Sequence, residues 1–217
     1  MSNTPLRLNL GSGPTAVRGW LNVDRSPGIL VSRLPAPIQK GLRASGLIPR
    51  EQASVAWPPD VRRLDVTKGL PFDDCSVEAI YSSHMLEHLT RDAARRLLAE
   101  CRRTLRPGGV LRVVLPDLRR LAERYLASEE PDAADAFLEE AMLGQHARLT
   151  GRAALVQLVG GSAHRWMFDA ASIRHRCLQC GFSATQECAF RQGSCPDIES
   201  LDSPSRRDES IYVEAYA

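Results

Sequence analysis

The stretch LRLNLGSGPTAVRGWLNVD, residues 6–24, restricts how this chain can fold more than any other feature. A short apolar run, Leu6–Leu10, leads into Gly11-Ser12-Gly13, and a second apolar run, Leu21–Asp24, ends in an acid. Strand, glycine turn and strand in this order are typical of a nucleotide-binding βαβ unit. Only the ten residues 11–20 separate the two runs, which leaves little room for a crossover helix.

The short turn argues against a dinucleotide ligand. A dinucleotide site needs a helix N-terminus directed at the pyrophosphate and an acid about 20 residues beyond the glycines. Asp24 follows Gly11 by 13 residues, and Pro14–Gly19 provides about one helical turn. The stretch therefore favours a nucleoside without phosphates, such as S-adenosylmethionine. A nicotinamide oxidoreductase, suggested by the Gly11-x-Gly13-x-x-Ala16 pattern, stays open as an alternative.

The composition is that of one globular domain. The chain has 217 residues, of which 43% are hydrophobic and 25% charged, and a net charge of +2. Such a balanced charge argues against nucleic acid or an anionic membrane as a partner. No run of 18 apolar residues is present, so we expect a cytoplasmic protein without a membrane span. The six cysteines are scattered, which predicts reduced thiols, and no bound metal is expected.

Strands that alternate with helices predict an α/β fold with a mostly parallel sheet. One domain, 1–217, carries two insertions at 25–60 and 128–163, the second largely helical from Pro131 to about Val159. Pro107-Gly108-Gly109 is expected to separate a helix from the strand that follows it. Beyond the first two strands, the predicted strands are 61–66, 77–82, 110–116, 183–191 and 211–216, and the predicted helices are 91–105, 117–127 and one that ends at Gly181.

Five segments in chain order resemble the class I S-adenosylmethionine-dependent methyltransferases. They are LNLGSG, GWLNVD, RLDV, LPFDDCSVEAIYSSHMLEHL and ECRRTLRPGGVLRVVLPDL. HRWMFD, LQCGF and SIYVEAYA are similar to the tail of one bacterial branch that modifies small molecules and peptides. The resemblance implies a Rossmann-like, doubly wound, mostly parallel seven-stranded sheet with helices on both faces and a helical lid.

The resemblance also assigns a role to each motif residue. Gly11, Ser12 and Gly13 would pass beneath the methionine part of S-adenosylmethionine, whose product is S-adenosylhomocysteine. Asp24 would bind the ribose hydroxyls and Arg25 would lie along the adenine. The remaining cofactor residues would be Asp65 and the Val66 N–H at the adenine edge, with Ser82 and Ser83 near the sulfonium. Asn9 stands where many members have an acid, and it is expected to contact the cofactor's amino-acid end.

Histidines near the cofactor strand are the candidate catalytic groups, because imidazole accepts a proton near neutral pH. His84 and His88 lie four residues apart, and His164 follows a Gly-Gly break. A structural role is the alternative for two of them: His88 could be a capping or packing residue, and His164 a structural hydrogen-bonding residue. Arg165 and Trp166 are the candidate acceptor-binding residues, although an aromatic residue in RWMF is more often part of a core.

These observations predict methyl transfer to an oxygen, hydroxyl or carboxylate, of a small-molecule or peptide natural product. The insertions are expected to act as a substrate lid or as contacts of a homodimer. The departures at Asn9 and in the short turn keep open a catalytically degenerate binding protein, and N-methylation of a sugar or peptide is a further alternative. Nucleic acid is disfavoured as an acceptor, because no added binding domain is evident and SSHM replaces the motif of amino-methylating nucleic-acid enzymes.

Overall fold

The computed structural model describes residues 5–44, 55–143 and 163–217, which form one sheet with helices around it. The seven strands follow the order β3-β2-β1-β4-β5-β7-β6, in which β7 is antiparallel to both of its neighbours and the others are parallel. The strands are β1 (Leu6–Leu10), β2 (Leu21–Asp24), β3 (Val61–Arg63), β4 (Val77–Ser83), β5 (Leu105–Pro116), β6 (Ala184–Cys188) and β7 (Ser210–Tyr216). The predicted Rossmann-like α/β fold is confirmed. Strand order reverses between β1 and β4, where open parallel sheets bind ligands.

Seven helices connect or extend the strands within the described ranges. They are α1 (Gly28–Ser32), α2 (Ala36–Ala44), α3 (Arg91–Thr104), α4 (Leu118–Ala127), α5 (Ala133–Glu140), α6 (Ala170–Gln179) and α7 (Ile198–Leu201). α3 begins where the sequence predicts it, because the Thr90 side chain accepts a hydrogen bond from the Ala93 N–H. None of the helices in the described ranges combines the length and the apolar character that a membrane span requires.

Alternating side chains of the central strands build a core on each face of the sheet. Ile80 of β4 packs with α3 and α6 on one face, in a cluster that includes Leu97 and Ile173. On the other face, Tyr81 packs with Trp20 from the glycine turn and Leu201 of α7. Both faces are therefore covered, and the carboxyl ends of β1, β2 and β4 are left at one edge of the sheet.

Residues 189–202 are held against the sheet by a buried arginine cluster, which consists of Arg112, Asp202 and Glu214. Nη2 of Arg112 lies 2.6 Å from Oδ2 of Asp202, and Nη1 lies 3.1 Å from Oε1 of Glu214. The guanidinium also donates to the carbonyl oxygens of Ala189 and Gln192. The side chains of all three cluster members are 0% exposed. This segment forms one wall of the cavity described below.

The expected separation of helix and strand at Pro107-Gly108-Gly109 is wrong. α3 passes directly into β5 at Leu105, and the Pro-Gly-Gly run lies inside β5 as an irregularity. The pairing with β4 jumps from Val77–Leu105 to Ala79–Val110 across it. A Cβ atom on Gly109 would lie 3.0 Å from the carbonyl oxygen of Glu78, so glycine permits this close approach.

Two other predicted elements are shorter than expected. β3 ends at Arg63 instead of Val66, because Asp65 caps a 3-10 turn over Val66–Lys68. β6 ends at Cys188. The helical prediction for the second insertion is confirmed over α5, while residues 144–162 lie outside the described residues.

Candidate active site

The glycine turn after β1 is bonded to the end of β2. The N–H groups of Gly11 and Ser12 donate to the Val23 carbonyl oxygen at 2.9 and 3.1 Å. The N–H of Gly13 donates to Oδ2 of Asp24 at 3.1 Å, and Oδ1 of Asp24 accepts from the Ser26 N–H at 2.7 Å. Asp24, the acid at the end of β2, is therefore joined to the glycine turn by a direct hydrogen bond.

Asn22 keeps this short turn in place without a crossover helix. Its Oδ1 accepts hydrogen bonds from the Val17 N–H and from Nδ2 of Asn9, both at 3.0 Å. Its Nδ2 donates to the carbonyl oxygens of Val17 and Trp20 at 3.0 and 2.9 Å. Because Oδ1 of Asn22 is an acceptor, the residue at position 9 must be a donor. An ionised acid at that position would leave two acceptors facing each other.

A cavity of about 690 Å³, which we call the glycine-turn cavity, opens above these residues. A Cβ atom on Gly11 would lie 2.5 Å from Cγ of Met85, whereas one on Gly13 would meet no atom within 4 Å. Both glycines have positive φ angles, +68° and +57°, which favour glycine. The other walls of the glycine-turn cavity come from the end of β4 and from the segment after α7. The lining residues include Asn9, Ser12, Asp24, Tyr81, Ser83, His84, His88, Leu201 and Arg206.

A second cavity of about 580 Å³ adjoins the first, and we call it the histidine cavity. His84 and His88 line both cavities, as do Ser205 and Arg206. The remaining lining of the histidine cavity mixes charges of both signs, and it includes Asp117, Arg120, Arg124, Glu140, Asp208 and Glu209. Two cavities with a common wall suit two ligands that react with each other.

Three histidines surround the histidine cavity, and each has a hydrogen bond to the protein. Nδ1 of His164 bonds to the Ala141 carbonyl oxygen at 2.8 Å, and Nδ1 of His88 bonds to the Ala163 carbonyl oxygen at 3.3 Å. Nε2 of His84 lies 2.7 Å from the Ser210 hydroxyl. His84 has a left-handed backbone with φ of +49°, which is strained for a residue with a Cβ atom.

Glu87 lies among these histidines with its side chain 1% exposed. Neither carboxylate oxygen has a hydrogen-bond partner among the residues that the structure describes. Oε1 lies 3.6 Å from Nδ1 of His84 and 3.9 Å from Nε2 of His164. We call His84, Glu87, His88 and His164 the histidine–glutamate cluster.

Burial shifts the acid–base properties of this cluster. It raises the pKa of Glu87 to about 8, because water no longer solvates the carboxylate. Burial, together with the charge of Arg206, lowers the pKa of His84 to about 3. The pKa values of His88 and His164 are lowered as well, chiefly by burial. The three imidazoles are therefore neutral at pH 7.

Residues 39–113, about a third of the chain, match the sequence model of a family described as a methyltransferase domain. Over this segment the chain resembles the class I S-adenosylmethionine-dependent methyltransferases. Its sheet order and the two covered faces agree with the fold that this resemblance implies. No match to a curated protein was found.

Two solved structures show the same fold as this chain. A SAM-dependent methyltransferase from Archaeoglobus fulgidus is 12% identical, with a TM-score of 0.52, over 98% of this chain and 86% of that one. A methyltransferase solved in complex with the Haloferax volcanii Trm112 methyltransferase activator is 15% identical, with a TM-score of 0.51, over 99% and 83%.

The glycine-turn cavity fits S-adenosylmethionine, the methyl donor of this class. Its volume lies in the range of small-molecule sites, roughly 300–1,000 Å³, and Gly13 leaves open space where a side chain would stand. The structure brings eight of the predicted residues to this cavity: Asn9, Gly11, Ser12, Gly13, Asp24, Ser83, His84 and His88.

Four of the predicted cofactor residues do not line this cavity. The Asp65 carboxylate accepts from the hydroxyl and the N–H of Thr67, and these bonds lower its pKa. Val66 is buried, Arg25 is exposed, and Ser82 is buried in β4. Their roles at the adenine and the sulfonium stay predictions.

The two predicted acceptor-binding residues lie outside both cavities. The Trp166 ring lies between the guanidiniums of Arg91 and Arg176, which are 5.4 and 5.7 Å from its centroid. The N–H groups of Arg165 and Trp166 donate to the Glu87 carbonyl oxygen at 2.7 and 3.1 Å. These backbone bonds place His164 in the histidine–glutamate cluster.

Sequence reasoning missed Asn22 and Glu87. Asn22 is a polar residue inside a four-residue strand that was expected to be buried, and a polar side chain at such a position was the available signal. Glu87 stands between two candidate histidines in HMLEH, and its position beside His88 was the available signal.

Proposed function

We propose that this methyltransferase methylates an oxygen atom, most directly a hydroxyl, of a small-molecule or peptide acceptor in the histidine cavity. The observation that carries the proposal is the common wall formed by His84 and His88. When bound, S-adenosylmethionine supplies a methyl group that the sulfonium has already activated for displacement. The residues of the protein must then position the acceptor, exclude water and handle a proton.

Positioning rests on the rigid turn above β1 and β2. Asn22 bonds the turn at Val17 and Trp20, and Asp24 faces the Gly13 N–H at the mouth of the cavity. A carboxylate in this place accepts hydrogen bonds from two adjacent ribose hydroxyls. Fixed geometry on the donor side matters because displacement requires the acceptor, the methyl carbon and the sulfur in line.

The side chains in the wall between the two cavities support oxygen as the accepting atom. A hydroxyl must lose a proton during transfer, and the wall consists of neutral imidazoles and a buried carboxyl group. Arg120 and Arg206 share the lining with acidic residues such as Glu209, which suits a polar acceptor such as a peptide. A carboxylate acceptor needs no proton acceptor, and it stays within the proposal as the second kind of oxygen.

The second insertion supports a lid over the histidine cavity. Glu140 and Met142, both within 128–163, line this cavity, and Ala141 bonds His164. No described residue of the first insertion, 25–60, lines either cavity, so we assign the lid to the second insertion alone. The other partner expectation, a homodimer, remains a prediction.

We also keep a cytoplasmic location and a biosynthetic role on natural products as parts of the proposal. All six cysteines are free thiols, and Cys101, Cys177 and Cys195 are buried. Free thiols are typical of a reducing compartment.

The cofactor half of the proposal is tested with Asp24→Ala. Calorimetric titration with S-adenosylhomocysteine should show a Kd at least about tenfold higher than that of the unchanged protein, since losing a charged hydrogen-bond partner costs about 1.5–3 kcal/mol. Asp60→Ala, at an exposed acid outside both cavities, should leave the Kd unchanged. Equal affinity in Asp24→Ala and Asp60→Ala would refute the role of Asp24.

The acceptor half is tested with labelled S-adenosylmethionine and matched peptides that offer one hydroxyl, one carboxylate or one amine. Mass spectrometry of the product should locate the label on oxygen. Label on nitrogen supports the N-methyltransferase alternative. Binding of S-adenosylhomocysteine with no product from any acceptor, including those in a lysate, supports the catalytically degenerate binding protein.

A further inference from the structure

The histidine–glutamate cluster has the spacing of a metal site. One potential ligand atom from each of Glu87, His88 and His164 lies within 4.8 Å of the other two. Oε1 of Glu87 and Nε2 of His164 are 3.9 Å apart. Two ligands on one tetrahedral ion, each about 2.1 Å from it, are about 3.4 Å apart. A small inward movement of the side chains would therefore complete the coordination.

The ring protons of His88 and His164 point away from the centre of the cluster. A carbonyl oxygen only accepts hydrogen bonds, so the bonds to Ala141 and Ala163 fix the proton of His164 and of His88 on Nδ1. Nε2 of each ring is left with a lone pair. A second ring nitrogen that donates to a backbone carbonyl is the usual arrangement of a metal-bound histidine, because it fixes the tautomer and the ring orientation.

The carboxylate of Glu87 supplies the independent indication of a ligand. It is almost completely buried, and neither oxygen has a hydrogen-bond partner in residues 5–44, 55–143 and 163–217. A buried carboxyl group without a donor is costly, and a cation removes that cost. A purely structural cluster would instead show direct hydrogen bonds of about 2.7–3.2 Å between its members.

We propose that Glu87, His88 and His164 bind one divalent transition-metal ion at the wall between the two cavities. Two imidazoles and one carboxylate form the ligand set of catalytic zinc sites, which keep one position open. Imidazole nitrogen favours Zn²⁺, Co²⁺ or Mn²⁺ over Mg²⁺, which prefers oxygen ligands. This site replaces the expectation that the chain has no metal, which considered only the cysteines.

The role of the ion rests on the proposed function. An ion at the wall of the histidine cavity binds the acceptor oxygen in its open position and lowers the pKa of the hydroxyl. The hydroxyl proton leaves to water, the new C–O bond forms, and the C–S bond to the methyl group breaks. His84, whose Nδ1 lies 3.6 Å from Glu87, is next to the ion without being required as a ligand.

The test uses the full chain, produced without a histidine tag and treated with a chelator. Calorimetric titration should show about one Co²⁺ or Zn²⁺ per chain, and no binding of Mg²⁺ under the same conditions. The Co²⁺ complex should absorb as a tetrahedral nitrogen–oxygen site without thiolate-to-metal charge transfer. Thiolate absorption would overturn the proposal, since it would indicate the Cys177–Cys180 pair.

Ligand variants decide which residues bind. Glu87→Gln and His88→Gln should each weaken Co²⁺ binding at least tenfold, and His175→Gln, at an exposed histidine of α6, should not. Unchanged binding in both ligand variants, or equal loss in His175→Gln, overturns the site. The circular dichroism spectrum of each metal-free variant, compared with that of the unchanged protein, shows that it is folded.

The proposed metal site and the proposed function can be refuted independently of each other. Metal binding is measured without cofactor or acceptor, so it decides the site even if no oxygen acceptor is found. If methyl transfer proceeds, a chelator should reduce its rate at least tenfold and added Zn²⁺, Co²⁺ or Mn²⁺ should restore it. A rate that is the same with and without chelator overturns the role of the ion in transfer.

Discussion

Two clusters of ionisable groups, both within the part of the chain that the structure describes, differ in how their charges are balanced. In the arginine cluster, Arg112 bonds both Asp202 and Glu214, and Glu214 also accepts from the N–H groups of Ser194 and Cys195. In the histidine–glutamate cluster, no hydrogen bond joins Glu87 to the imidazoles, and neither of its carboxyl oxygens has a hydrogen-bond partner in the described part of the chain.

The difference separates a structural role from a chemical one. A cluster that satisfies its own charges needs nothing from outside, and it fixes the wall of the glycine-turn cavity through Asp202. A cluster that leaves a carboxyl group and two ring lone pairs facing each other is complete only when a cation or a substrate proton enters. Burial alone would not have distinguished them, since Glu87 is as buried as the three members of the arginine cluster.

The largest expected effect comes from breaking the arginine cluster. Arg112→Met leaves Asp202 and Glu214 buried without their cation, which should lower the free energy of unfolding by about 3–5 kcal/mol. Urea denaturation followed by circular dichroism measures it. Arg96→Met, at an exposed position of α3, should change it by less than about 0.5 kcal/mol. A loss below about 1 kcal/mol in Arg112→Met would show that Arg112 does not balance the charges of Asp202 and Glu214, so that the two clusters would not differ in this respect.

A smaller effect of opposite sign is expected in the histidine–glutamate cluster. With a chelator present, Glu87→Gln should raise the free energy of unfolding at pH 7 by about 1 kcal/mol, because burial keeps the carboxyl group from ionising as it does in the unfolded chain, and an amide carries no such cost. The exposed Glu123→Gln should have no effect. A clear loss of stability in Glu87→Gln would mean that the carboxyl group has a partner in the metal-free protein.

The smallest effect concerns an ion pair at the surface, which water screens. Hydrogen bonds from Arg103 and the Leu70 N–H lower the pKa of Glu100 to about 2 from an ordinary 4.5. Because the folded pKa is the lower one, the stabilisation is present above about pH 4.5 and is lost as the pH falls towards 2. Glu100→Gln should therefore cost about 0.5–1 kcal/mol at pH 7 and nothing at pH 2. Urea denaturation at both pH values checks this, and a pH-independent loss would contradict it.

The sequence predicts the donor half of the site well because its residues are close together in the chain. Asp24 and the glycine turn lie within one strand–turn–strand unit, and parallel strands bring their carboxyl ends to one edge. The prediction for β1 and β2 agrees with the structure at every boundary residue. A local pattern was sufficient there, since no distant partner decides the geometry.

The parts that were missed depend on partners far apart in the chain. Arg112 meets Asp202 across 90 positions, and Glu87 meets His164 only because backbone bonds join two loops. The prediction at Pro107-Gly108-Gly109 was wrong for another reason. A glycine-rich run is compatible both with a turn and with an irregular strand, and only the pairing with β4 shows that the strand forms here. Side-chain identity without topology does not determine such contacts.

The bonds from the N–H groups of Arg165 and Trp166 to the Glu87 carbonyl have an evolutionary consequence. Peptide N–H groups are common to all residues except proline, so drift at positions 165 and 166 need not move His164. Relatives can therefore diverge at these two positions while retaining the same reactive wall. Among divergent relatives, the exclusion of proline at 165 and 166 would be a better guide to a retained site than the arginine or the tryptophan itself.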